Sequence, residues 1–442
     1  MFAQKHLWRS IAITVTALLL SACGLTSPTT TSGSATTTPL PFTPVSGTAV
    51  PTPQGPLQPQ LFDVAHFQAA YGVDQFIKQG ITGKGQTVID IVSFGSPTLN
   101  ADVATFSQHF NLPAANIQVI APIGTVPFDP TNHDMTGWQG ETTLDVEIIH
   151  AMAPDAKIIV MTSPVSETEG TAGLPEFRQL IQYAADHHLG SIVSMSWGAS
   201  EVSLKNDPNG ASEVAKWDAL LKQTTEQGMT YLASSGDLGA TDYTDVQNDI
   251  SPTRTVGFPA DDPWVTSVGG TSLFSDGTAY REEVWNTGGA SAGGFSTLFG
   301  EPDYQQKVAV NSPNPFQNQR GIPDVAADAD PSTGLTLYIG GQATGAGGTS
   351  ASAPAWAGIV ALANQLAGHN LGFINPALYK LATSANYARD FHDISVGNNS
   401  VSLGSVSVQG FDASQGWDPT TGLGSPNTPN LLPDLIAASA GG

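Results

Sequence analysis

The stretch TVIDIVSFGSPTLNADVATFSQHFNLPAANIQVIAPI, residues 87 to 123, decides the fold class. Thr87 to Val92 is a short, nearly continuous apolar run, the pattern of a strand covered on both faces. Asn100 to Phe110 reads as a helix and Ile117 to Ile123 as a second strand. The alternation extends outward. Val64 to Lys78 reads as helix before this stretch. After it come a helix from Glu141 to Met152, a strand from Lys157 to Met161, a helix from Leu174 to His188 and a strand from Ser191 to Ser196. A helix from Ser212 to Gln227 and a strand from Thr230 to Ser234 follow. Short apolar runs joined through helices predict an α/β fold, a doubly wound, mostly parallel sheet with helices on both faces. The second half is richer in Gly, Ser and Asn, with strand-like pieces at Trp264 to Gly269 and Leu335 to Ile339. Sites in such folds lie beyond the carboxyl ends of the strands.

The N-terminus is of a different kind. Lys5, His6 and Arg9 surround the approach to an apolar run, Ile11 to Leu20, that ends at Leu20-Ser21-Ala22-Cys23. This is the anatomy of an export signal over residues 1–22, too short for a stable membrane span. Its last four residues resemble a bacterial lipobox, in which cleavage leaves the cysteine as a lipid-bearing N-terminus. An ordinary signal peptide with an incidental cysteine is the alternative. Cys23 is the one cysteine of the chain. Residues 23–57 are Ser/Thr/Pro-rich and almost uncharged, so they cannot bury enough apolar surface to fold and read as a disordered spacer. The folded domain is expected over residues 58–442, extracytoplasmic, a monomer, and tied to a membrane only through lipid on Cys23.

Charge narrows the partners. With 38 Asp+Glu against 15 Lys+Arg the net charge is −23, and no basic stripe is present for nucleic acid. Charged residues make up only 12% of the chain, so with carboxylates protonated at most 15 basic residues and nine histidines stay charged. Self-repulsion in acid is then modest, which suits a protein that works there.

Chemistry concentrates in three short stretches. In GGTSASAP, Gly347 to Pro354, glycines turn the backbone into a helix that runs on through Trp356 and Leu362. Ser350 at its start would sit where free N–H groups favour developing negative charge, and Pro354 is expected in a first turn that lacks N–H partners anyway. Simple helix capping by Ser350 or Ser352 is the competing reading. In GETTLDVEIIHAMAPDAK, Gly140 to Lys157, helical phasing with Glu141 at 0° puts Asp145 at about 40°, Ile148 at about −20° and Met152 at about 20°. Both carboxylates thus share the apolar face. Glu147 and His150 fall opposite and are expected at the surface. Two neighbouring half-buried carboxylates titrate as a coupled pair, and such a pair accepts a serine proton best in acid. In YLASSGDLGA, Tyr231 to Ala240, a buried strand ends in Ser-Gly-Asp-x-Gly, either a plain turn or an aspartate placed to donate to an oxyanion when protonated.

Taken in order, G-E-x-x-L-D-x-E, S-M-S-W-G, S-S-G-D-x-G and G-G-T-S-A-S-A-P resemble the sedolisin family of serine-carboxyl peptidases, subtilisin-like proteins with glutamate in place of the histidine. The resemblance runs from about Leu61 and begins with AYGVDQFIKQGITGKGQTVIDIV. It implies a subtilisin-like fold, Ser350 as nucleophile, Glu141 as general base, Asp145 as its orienting partner and Asp237 as oxyanion stabiliser. It also implies an acid endopeptidase acting on proteins or peptides. By the same resemblance Ser196 and Gly198 line the substrate cleft; Trp197 either supports the acid network or packs the core. FHDISVGNN and GWDPTTGLGSPN resemble the family's single calcium site, with Asp393 and Asp418 as carboxylate ligands and the carbonyls of Ile394, Ser414 and Gly416 completing the cage. Some relatives carry a supporting glutamate just after the first strand, where this chain has Ser93, so a shorter carboxylate chain is expected. A subtilisin-type peptidase using histidine, and an inactive lipid-tethered peptide-binding protein, are the alternatives.

Overall fold

Side chains of a strand alternate between faces, and β1 (Thr87–Ser93) sorts its residues accordingly: Val88 and Val92 enter one core, Ile89 and Ile91 the other. The computed structural model describes residues 58–277, 279–309 and 313–440. The export signal, Cys23 and the spacer lie outside these. β1 is followed by β2 (Asn116–Ile120), β3 (Lys157–Ser163), β4 (Ile192–Met195), β5 (Thr230–Ser234), β6 (Val265–Ser275), β7 (Tyr280–Val284) and β8 (Val325–Asp328). They form one eight-stranded sheet in the order β8-β6-β5-β4-β1-β3-β2, parallel throughout except for β7, which pairs antiparallel with β6.

The chain winds from β1 to one edge and returns, through β4, to the other side of β1. The crevice beyond the carboxyl ends of β1 and β4 is therefore the switch point where sites form in such sheets. Helices cover both faces, as expected. One face carries α4 (His133–Met152) and α7 (Thr349–Ala367) against Val88, Ile192 and Leu232. The other carries α5 (Leu174–Asp186) and α6 (Gly210–Glu226) against Ile89, Val193 and Tyr231.

Two local expectations are corrected. The helix over residues 64–78 is two, α1 (Val64–Tyr71) and α2 (Val73–Ile77), because Gly72 turns left-handed (φ 74°) and a Cβ there would lie 2.4 Å from Pro429. The strand expected at Leu335 to Ile339 does form, as Thr336–Ile339, in a hairpin with Gln342–Gly345 outside the main sheet. The exposed face assigned to α4 does not exist. From Thr142 to Met152 every residue of α4 is buried, because α3 (Leu99–His109), α7, β1 and the hairpin surround it. Glu147 is buried and accepts the N–H of Tyr338 at 2.8 Å. His150 is buried too, its Nε2 3.0 Å from Ser107 Oγ and 3.1 Å from the Pro113 carbonyl. Among the described residues no helix is long and apolar enough to cross a membrane.

Candidate active site

α4 starts on Asn132, whose side chain accepts the N–H groups of Asp134 and Met135, and then descends into the core. Glu141 sits at the rim and Asp145 one turn deeper on the same side. Asp145 Oδ1 accepts the hydroxyl of Ser196 at 2.6 Å, from the loop that leaves β4. The Ser350 hydroxyl faces the Glu141 carboxyl closely enough to favour its ionised form. Candidate nucleophile, candidate base and the partner of that base thus lie side by side in the order Ser350, Glu141, Asp145, with Asp145 repelling the charge of Glu141.

Ser350 is the second residue of α7. The turn before it needs glycine: Gly348 has φ 95°, and a Cβ there would lie 2.5 Å from Asp237 Oδ2. Thr349 donates from its N–H and its hydroxyl to Asp237 Oδ1, at 2.8 and 2.9 Å. Asp237 thus closes the helix N-terminus from β5's end, leaving Oδ2 directed at the Gly348 turn. Pro354 lies in the second turn of α7, not the first, and it has no N–H to give the Ser350 carbonyl four residues back. Ser196 Oγ lies 3.2 Å from that carbonyl and is oriented to donate to it as well as to Asp145. The proline therefore leaves open an acceptor that ties the β4 loop to the Ser350 backbone.

The sequence reading missed one member of this cluster. Asp90, in β1, is fully buried and shares the face of Val88 and Val92, towards α4. It hydrogen-bonds the side chain of Asp145. Neither Asp90 oxygen, nor Asp145 Oδ2, nor Glu141 Oε1 receives an N–H or hydroxyl among the described residues. A bond between two carboxyl groups requires a proton of their own. Burial raises the Asp90 carboxyl well above its usual range, and Glu141 adds to this. Asp145 is raised by burial and then by Asp90, against the Ser196 hydroxyl, which lowers it. Glu141 is raised by burial and by Asp145, and lowered by Ser350. Asp237 is raised by burial against the two Thr349 bonds. The carboxylate chain is not shortened: Ser93 does not join it, its hydroxyl bonding Val165 O and Glu167 N, while Asp90 enters three residues earlier. The signal for Asp90 was available, a lone charge at an inward position of an otherwise apolar strand.

Ser196, Trp197, Gly198, Asp237 and Ser350 line one cleft of about 300 Å³. Trp197 is 5% exposed and packs on Phe177 and Trp217, with ring centroids 4.6 and 5.6 Å away, so core packing accounts for most of it. No histidine lines the cleft. Burial pushes His150 down to about 4, and its hydrogen-bond partners lie on Ser107 and Pro113, away from Ser350.

The candidate calcium residues also come together. The Gly416 N–H donates to both oxygens of Asp393 at 3.1 Å, and the Ser414 N–H donates to Asp418 Oδ2 at 2.9 Å. Among the described residues no donor is bonded to the carbonyls of Ile394, Ser414 or Gly416. Two carboxylates and three free carbonyls in irregular loops are the oxygen set a hard cation takes. Among the described residues no group of three or more His, Cys, Asp or Glu is arranged to hold a metal ion.

A family model described as "Subtilase family" matches residues 124–417. Kumamolisin from Bacillus sp. (strain MN-32) is 37% identical over 409 residues, 89% of this chain and 66% of that protein. Sedolisin from Pseudomonas sp. (strain 101) is 30% identical over 351 residues, 77% and 56% of the two chains. Human tripeptidyl-peptidase 1 is 31% identical over 312 residues, 67% and 52%. The chain thus spans about two thirds or less of the length of these curated relatives. Among solved structures, Pseudomonas sedolisin (serine-carboxyl proteinase), in complex with two molecules of pseudo-iodotyrostatin, superposes with a TM-score of 0.70 at 26% identity, covering 85% of this chain and 98% of that one. With a glutamate at residue 141 facing Ser350 over a mostly parallel sheet, and with these relatives, the chain belongs to the subtilase family and, within it, to the sedolisins.

Proposed function

We propose that this protein is an extracytoplasmic acid serine-carboxyl endopeptidase. The observation that carries the reading is the juxtaposition of Ser350, Glu141 and Asp145, each close enough to shift the protonation of its neighbour, with Asp237 across the turn before Ser350. Glu141, ionised, takes the Ser350 proton as Oγ attacks the peptide carbonyl. The carbonyl oxygen becomes an oxyanion, which a proton on Asp237 stabilises by hydrogen bond. Glu141 then gives its proton to the amide nitrogen, the C–N bond breaks, and the amine leaves an ester on Ser350. Water attacks that ester, Glu141 takes its proton and returns it to Ser350 Oγ, and the acid is released. Asp145 orients Glu141 and exchanges protons with it. The role of Asp237 requires its protonated form, and burial favours that form. The protonated Asp237 bounds the working range on its alkaline side and the ionised Glu141 on its acid side.

The calcium ion, held by Asp393, Asp418 and the carbonyls of Ile394, Ser414 and Gly416, would cross-link C-terminal loops and supply no chemistry to the reaction. Residues 1–22 serve as export signal, 23–57 as spacer, and Cys23 as the lipid attachment point. Cys23→Ser should then move the protein from the membrane fraction to the soluble one.

Casein or peptide cleavage from pH 3 to 8 tests the main reading. Ser350→Ala and Glu141→Gln should each lose at least about a thousandfold in kcat/KM, the scale of removing a nucleophile or its base. His150→Gln should lower Tm and leave kcat within about threefold. Full activity in Glu141→Gln, or its loss in a folded His150→Gln, sinks the assignment.

A further inference from the structure

The hairpin that leads into α7 is held at its tip by two buried carboxyls the mechanism does not use. Gly340 and Gly341 form its two-residue turn, left-handed at φ 61° and 80°, and Ile339 pairs with Gln342 across it. Pairs in an antiparallel ladder alternate between bonded and unbonded, so the next residue back, Tyr338, points its N–H out of the hairpin. Glu147 Oε2 accepts that N–H at 2.8 Å, and Glu147 Oε1 has no donor among the described residues. Asp102 of α3 accepts the turn itself, the Gly340 N–H on Oδ2 at 3.0 Å and the Gly341 N–H on Oδ1 at 2.7 Å. Glu147 and Asp102 are both buried. The second strand ends at Gly345, and only Ala346, Gly347 and Gly348 separate it from α7.

Glu147 stands on the same helix as Glu141, on the side turned away from it. The path from Glu141 along α4 to Glu147, across to Tyr338 and through the hairpin to Gly348 and Ser350 joins base and nucleophile by a route separate from their own approach. We infer that Glu147 is a positioning residue of the peptidase: by holding the Tyr338 N–H it fixes the hairpin that delivers Ser350 to the helix that carries Glu141. This role rests on the peptidase reading above. The ionisable groups facing Glu147 are Asp102 of α3 and the Tyr338 phenol, with His109 of α3 against the Tyr338 ring at 5.4 Å. α7 carries no ionisable side chain, Asp90 of β1 faces Asp145 on the other side of α4, and neither Lys157 of β3 nor His66 of α1 is buried. Burial raises Glu147 to about 8, and Asp102 adds to the rise against the Tyr338 N–H. Protonated, the carboxyl accepts that N–H without needing a counter-charge; ionised, it is a buried anion beside Asp102. The tie is therefore complete in acid and is lost as pH rises through about 8.

Two readouts test this on wild type, Glu147→Ala and Glu147→Gln, each well below its own Tm. In peptide cleavage at pH 5, Glu147→Ala should lose at least about tenfold in kcat with KM within about threefold, the cost of a displaced nucleophile. Glu147→Gln, which keeps the acceptor, should recover most of that loss. In hydrogen exchange, corrected for the intrinsic rate, the amides of residues 336–345 in the wild type should open at least about tenfold more at pH 9 than at pH 6. Glu147→Gln should remove that rise. A lower Tm in Glu147→Ala with kcat unchanged reduces Glu147 to packing and overturns the role. The same pH dependence of exchange in wild type and Glu147→Gln overturns it too, and that comparison decides alone if Glu147→Ala does not fold. A wild type that cleaves no peptide sinks the peptidase reading and the role with it; a wild type that cleaves, beside either overturning result, removes the role and leaves the peptidase intact.

Discussion

Asp90 illustrates how a single proton organises the site. A carboxyl bonded to another carboxyl in a core without cations is stable only while one of them is protonated. Asp90→Asn replaces that proton by an amide donor that never titrates. The folded-state pKa of Asp90 is raised, so its contribution to stability is present in acid and is lost as pH rises through the raised value. Asp90→Asn should therefore match the wild-type Tm near pH 4.5 and exceed it at pH 8. An equal Tm difference at both pH values would mean that Asp90 only fills space. Asp237 offers a parallel case. An asparagine there keeps an acceptor for Thr349 and donates without needing acid, so Asp237→Asn should extend kcat/KM to higher pH. Asp237→Ala should cost about 10²–10³ in kcat, the effect of losing an oxyanion donor. A profile unmoved in Asp237→Asn would remove Asp237 from that role.

At the scale of elements, the site is a junction of α4, α7, β1 and the loop after β4. α4 and α7 are buried helices packed side by side, which is why Glu141 reaches Ser350 across more than 200 residues of sequence. The turn into α7 is the tight point of this junction. Gly348→Ala introduces both a disfavoured φ and a Cβ 2.5 Å from Asp237 Oδ2. It should reduce kcat/KM at least about tenfold while lowering Tm, a combination typical of strain at a positioned turn. Activity within twofold of wild type would mean that Asp237 has room to move away and does not hold the turn.

For the whole molecule, the pattern of buried acids predicts a stability profile tilted towards acid. Burial raises Glu147, Asp242 and Asp262 each to about 8, in addition to Asp90, Glu141 and Asp145. These groups hold protons when folded and release them on unfolding near neutrality, so stability falls between the ordinary carboxylate range and pH 8. His150 works in the opposite sense, since it is held neutral down to about 4 and favours unfolding as pH drops below its ordinary value. One histidine is outnumbered by several carboxyls, so Tm should be higher at pH 5 than at pH 8. A Tm flat between those two values contradicts the assignment. Calcium should raise Tm, a chelator should lower it, and Asp393→Ala should abolish the difference. An unchanged Tm in all three measurements removes the ion.

Much was legible without coordinates. Strand and helix positions followed from runs such as Thr87 to Val92, and Thr230–Ser234 falls where expected, because the apolar alternation of a doubly wound sheet is written locally. The phasing of Glu141 with Asp145 was also local, since both lie on one helix. The surface assigned to Glu147 and His150 failed because amphipathic reasoning assumes a helix with one wet side, and α4 has none over that span. Tertiary structure alone decided three further matters: that Asp90 meets Asp145, that Asp237 closes the N-terminus of the Ser350 helix, and that Glu147 holds the hairpin before it. These contacts join residues far apart in the chain, and no periodicity within one segment encodes a meeting between two. What the sequence determined is the set of elements and the chemistry each one carries. What the fold decided is which carboxyls lie close enough, and far enough from water, to share protons.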